Sequence, residues 1–86
     1  MPEICRFYGI IIKMYFGDHA PPHFHAEYGD EEALIDIRTM AVFAGHLSPR
    51  AMGLVVEWAL LHQGELKASW ERAANLQSPG KIDPLK

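Results

Sequence analysis

The stretch from Pro21 to Arg38, PPHFHAEYGDEEALIDIR, constrains this chain more than any other, because apolar and polar side chains alternate on both sides of a glycine. A period of two belongs to β-strands, whose successive side chains leave opposite faces of a sheet. Phe24, Ala26 and Tyr28 therefore share one face, and His23, His25 and Glu27 the other. Beyond a turn at Gly29 to Glu32, Ala33, Ile35 and Ile37 alternate with Leu34, Asp36 and Arg38. Facing Tyr28 with Ala33 across a four-residue loop keeps the apolar side chains together, as a half-buried hairpin requires. That register sets His25 opposite Asp36 and His23 opposite Arg38.

The same rule extends backwards. Ile10 to Phe16 is rich in β-branched and aromatic residues, which favours a strand with Ile12, Met14 and Phe16 on the buried face. Lys13 then falls beside Glu27, and Tyr15 beside His25. Ile4 to Phe7 reads as a short first strand turned by Tyr8-Gly9. Gly17-Asp18 break the second strand, and His19-Ala20-Pro21-Pro22 form an extended loop, since proline fixes φ and removes a donor. Ala41 to Ala44 reads as a last edge strand ending at Gly45-His46.

Ser48-Pro49 opens a helix, with Ser as cap and Pro in the first turn. Met52, Val55, Val56, Ala59, Leu66, Trp70 and Ala73 follow helical spacing to about Leu76. Gln63-Gly64 interrupts that stripe and bends or splits the helix. The expected fold is α+β: a small antiparallel sheet of three to five strands, covered on one face by a long, bent C-terminal helix. The domain covers residues 1–76, followed by a tail, 77–86. Leu54, Trp58 and Leu61 lie opposite the apolar stripe and need a second cover. The tail QSPGKIDPLK looks too polar to supply it, so these three residues are expected to meet a small protein partner or a second copy.

Composition narrows the class. With 86 residues the chain is one small domain. Its single cysteine, Cys5, excludes an internal disulfide and any CxxC motif, and reads as a core filler in a reduced, cytoplasmic protein. The opening run is too short to span a membrane and lacks an export pattern, so no membrane is expected. A formal charge of −3 argues against coating nucleic acid by bulk electrostatics. The Ser48 helix has neither a preceding helix-turn partner nor a basic face, which argues against helix-turn-helix recognition.

Five histidines in so short a chain, three of them between His19 and His25, point to chemistry on the polar sheet face. One reading is a divalent metal site, zinc, iron or manganese, on His23 and His25, completed by His19, Asp18 or Glu27. A second is acid–base work, with a histidine oriented by Asp36 or Glu27 and phosphate held by Lys13 and Arg38. With no sulfur nucleophile or Gly-rich phosphate loop, that set fits metal-independent RNA cleavage, which would make nucleic acid a partner. The third is a solvated ladder of cross-strand pairs, Lys13 with Glu27 and His25 with Asp36. His46 reads as a loop residue and His62 as a flank residue.

The opening RFYGIIIKMYF, the stretch DHAPPHFHAEYGDEEALIDIRT and the Ser-Pro-Arg helix ending in W-x-x-A resemble a small bacterial domain-of-unknown-function family numbered 4160. The similarity runs from Pro2 to about Ala74, with Gly64 where a charged helix former is more usual. The resemblance implies a compact α+β protein, often encoded beside a second small protein in an arrangement like toxin and antitoxin genes. It brings no established activity or catalytic residue. One component of such a pair is the leading expectation; in the toxic half, His23 and His25 would act on RNA, oriented by Asp36 and Glu27. A non-catalytic binding or regulatory module and a metal-binding protein are the alternatives.

Overall fold

The computed structural model describes residues 3–86. Five strands, β1 (Glu3–Phe7), β2 (Ile10–Lys13), β3 (His23–Tyr28), β4 (Glu31–Asp36) and β5 (Val42–Gly45), precede two helices, α1 (Pro49–Leu61) and α2 (Gln63–Ala74). The strands form one antiparallel sheet in chain order, β1-β2-β3-β4-β5. Sheet and α+β class are as expected, at the upper end of the strand count.

The central hairpin is tighter than expected. Tyr28 pairs with Glu31 rather than Ala33, so Gly29-Asp30 is a two-residue loop. Gly29 sits at φ +61°, the conformation a tight hairpin demands of its first central residue and one that glycine adopts without strain. The register therefore moves by two residues, which leaves every side chain on its expected face but changes its partner. His23 lies opposite Asp36 and His25 opposite Leu34. Between β2 and β3 the shift is again two, placing Lys13 opposite His25.

Ile4, Phe7, Ile10, Ile12, Phe24, Ala26, Ala33 and Ile35 are buried on one side of the sheet, together with Ala51, Val55, Trp58, Ala59 and Leu66 of the helices. Cys5 is buried too, and that burial raises its thiol pKa, as befits a core filler. Phe16, expected in the core, is exposed because the paired part of β2 ends at Lys13.

Of the two expected outcomes near Gln63-Gly64, a bend or a split, the chain takes the split, so two helices stand in place of one long bent one. The break falls at His62, whose φ of −121° and ψ of 23° lie outside the helical region. Ser48 occupies the cap position of α1 without a side-chain capping bond; its amide donates instead to Glu31 Oε1 at 2.9 Å.

The expected interface also changes. Trp58 is fully buried, its ring centroid 5.4 Å from Phe7 and 5.9 Å from Phe24. The tail, judged too polar, is what closes over it. Trp58 Nε1 donates to the Asp83 carbonyl at 2.7 Å, and the Ile82 amide donates to Ile4 O at 2.9 Å. Further back, Ser69 Oγ donates to Pro79 O at 2.9 Å. Ile82 is 6% exposed and joins the core cluster, with Leu85 and Leu54 packed against it. Backbone hydrogen bonds and one well-placed isoleucine thus seat a polar-looking segment. Of the three predicted interface residues only Leu61 remains open to solvent. Among the described residues, no helix is long and apolar enough to cross a membrane.

Candidate metal centre

His23 and His25 leave β3 on the same face, as the alternation predicts. After β2 the chain leaves the sheet and returns through Gly17 and Asp18, where the Gly17 amide donates to Ala73 O of α2 at 3.2 Å. This anchor brings Asp18 over the histidine pair. Its Oδ2 lies 3.0 Å from His23 Nε2 and 3.1 Å from His25 Nε2, and the three donor atoms all lie within 4.8 Å of one another.

The far side of each ring fixes its tautomer. His23 Nδ1 lies 2.7 Å from the Pro21 carbonyl oxygen. A carbonyl only accepts, so Nδ1 carries the proton. His25 Nδ1 lies 3.3 Å from Glu32 Oε2, which imposes the same assignment. Each neutral imidazole then turns its Nε2 lone pair towards a carboxylate oxygen. Three acceptors meet with no donor between them, an arrangement that calls for a cation or for protons on both rings. An imidazolium at His23, only 3% exposed, would have Asp18 as its counter-ion, and the single Oδ2 atom would then serve both rings, where one cation satisfies all three groups. With bonds of about 2.1 Å, adjacent ligands of an octahedral ion stand about 3 Å apart, close to the two observed separations. Histidine ligands that pass their other N–H to a carbonyl or carboxylate are the rule at metal centres.

Burial works against the Asp18 carboxylate, while the His25 ring where it donates Nε2–H, the His19 amide, and the His23 ring where it is protonated hold its pKa below the usual aspartate value; with both Nε2 atoms unprotonated, the His19 amide is the one of these that still donates. The group is therefore an anion at neutral pH. Around it stand aromatic rings: Tyr15 with its centroid 4.6 Å from that of His25, and Phe43 and Trp70 at 5.2 and 5.1 Å from that of His23.

Other predicted residues are placed differently. His19 is exposed and contributes its amide, which donates to Asp18 Oδ1 at 3.0 Å, so of the two candidate loop ligands Asp18 is the one on the site. Asp36 turns to its own chain: Oδ1 accepts from the amides of Arg38 at 2.7 Å and Thr39 at 3.2 Å. Arg38 Nη2 lies 3.4 Å from Asp36 Oδ2. Arg38 thus closes a turn rather than facing His23. Glu27 pairs with Lys13 at 2.9 Å, the one cross-strand pair that survives the register shift, as a diagonal contact. Glu32, absent from the predicted set, is the carboxylate that orients His25. Its signal lay in the alternation, which puts it on the polar face once the loop shrinks to two residues.

An antiparallel five-stranded sheet with two helices, bearing two histidines and an aspartate convergent on its polar face, defines a small α+β domain. Over residues 9–71 the chain matches the family described as Domain of unknown function (DUF4160), and it belongs to that family. Asp18, His23, His25 and Glu32 all fall within the matched span. Searches of curated proteins and of solved structures gave no match.

Proposed function

We propose that this chain is a metal-binding protein whose centre is one first-row divalent cation held by Asp18, His23 and His25. The observation that carries the proposal is the convergence of three acceptor atoms, with both Nδ1 protons already committed elsewhere. Two imidazoles and one carboxylate suit ferrous iron or zinc, and leave coordination positions for water or a substrate oxygen. Such an ion acts as a Lewis acid or lowers the pKa of bound water, so the proposed class is metal-dependent chemistry on the polar face of the sheet, under the Asp18 loop. Elemental analysis after mild purification, with titration of the chelated protein by zinc, iron(II) and manganese(II), tests it. One ion per chain, lost in Asp18→Ala and His25→Ala and kept in His19→Ala, is the expected result. No stoichiometric uptake of any of the three ions would overturn it.

A second reading, one component of a toxin–antitoxin-like pair, draws on the family resemblance and on Leu60 and Leu61, which stand open to solvent at the end of α1. In its RNA-cleaving form His23 and His25 act as base and acid, with Glu32 in the orienting role first given to Asp36. Expression without a partner should then slow bacterial growth, and His25→Ala should restore it. Growth unaltered by the wild-type chain would count against this reading.

A further inference from the structure

The ligand class of the centre follows from what brackets it. Tyr15 follows β2, on one side of β3, and Phe43 belongs to β5, on the far side of β4. Tyr15 meets the His25 ring edge-on at an interplanar angle of 77°, and Phe43 meets the His23 ring edge-on at 88°. Both keep free surface, at 37% and 46% exposure, so each offers ring area beyond the histidine it touches. Trp70 tilts against His23 at 48°. A molecule reaching the ion therefore arrives between aromatic walls.

Charge narrows the class further. Lys13 is tied to Glu27 at 2.9 Å and Arg38 to Asp36 at 3.4 Å. An ion of charge +2 is balanced by Asp18 and by Glu32 behind His25, so the face carries no surplus of positive charge. A polyanion such as a nucleic-acid strand relies on such a surplus. A flat apolar molecule with one or two oxygen donors does not.

Resting on the metal centre proposed above, we infer that its ligand is a small planar aromatic molecule bearing an anionic oxygen, a phenolate, catecholate or aryl carboxylate. The oxygen completes the coordination of the ion while the ring packs against Tyr15 and Phe43. Losing one aromatic contact of this kind weakens binding by roughly two- to twelvefold.

The test uses the full chain loaded with iron(II) under anaerobic conditions and titrated with 4-nitrocatechol, whose visible spectrum shifts on coordination. Inorganic phosphate and a short single-stranded oligonucleotide serve as competitors. Saturable binding at one molecule per ion is expected, weakened roughly two- to twelvefold in Tyr15→Ala and in Phe43→Ala with one ion per chain retained. Failure to take up metal removes the centre itself and this inference with it. Metal uptake without a spectral shift, wild-type affinity in both variants, or displacement of 4-nitrocatechol by phosphate or the oligonucleotide at concentrations no higher than its own would overturn the inference while leaving the centre in place.

Discussion

Replacing Ile82 by alanine probes how the tail closes the core. The side chain is nearly buried and its amide is bonded to Ile4, so Ile82→Ala removes packed methyl groups without touching the backbone bond. Truncations of this kind cost about 2–5 kcal/mol, and the position at the margin of the core puts this one near about 2–3 kcal/mol. A domain of 86 residues has a total stability of roughly 4–13 kcal/mol, so the loss is a large share. With a urea slope near about 1 kcal/mol per M for so small a chain, the midpoint should fall by about 2–3 M. Equilibrium urea unfolding followed by tryptophan fluorescence reads this directly, because Trp58 lies under the tail. Leu76→Ala, at an exposed position, is the control and should stay within about 0.5 kcal/mol of wild type. A midpoint for Ile82→Ala indistinguishable from that control would refute the seating of the tail and leave Trp58 in need of another cover.

Four further outcomes follow from the same contacts. Trp58→Phe keeps a ring in the core but strands the Asp83 carbonyl, and should cost about 1–3 kcal/mol in thermal unfolding of the isolated protein; an unchanged melt would return Trp58 to the role of partner anchor. Gly45 sits at φ +76°, and a Cβ there would collide with the Glu32 carbonyl, so Gly45→Ala should lose at least about 1–2 kcal/mol by the same measurement. Asp36 has its pKa lowered, burial being outweighed by the Arg38 and Thr39 amides and the Arg38 side chain. Its contribution is therefore complete above about pH 4 and lost as pH falls through the lower folded value, so melting curves of wild type and Asp36→Asn should differ at pH 7 and converge in acid. Glu32→Ala should weaken metal binding by about 10- to 100-fold in calorimetric titration, with the fold retained by circular dichroism.

Which face each side chain takes was legible from the alternation, and it put His23 and His25 together. The partner across the strand was not, because a shift of two residues preserves every face. Choosing four loop residues instead of two gave His25 to Asp36 and hid Glu32. Asp18 could be named only as one of two loop candidates, since what selects it over His19 is the bond from Gly17 to the end of α2, a contact some fifty residues distant that no local pattern encodes. Trp58 was misplaced for a related reason. Apolar surface on both sides of a helix says that two covers exist, but the second came from backbone carbonyls and amides, which hydropathy does not register.

The tail has a last consequence. The Ile82 amide takes up the Ile4 carbonyl on the outer border of β1, while β5 forms the other border of the sheet among the described residues. A sheet blunted on one side can recruit a neighbouring strand only on the other. Pairing between copies would therefore be expected at β5, whose four residues are all exposed, rather than at the part of β1 that the tail meets.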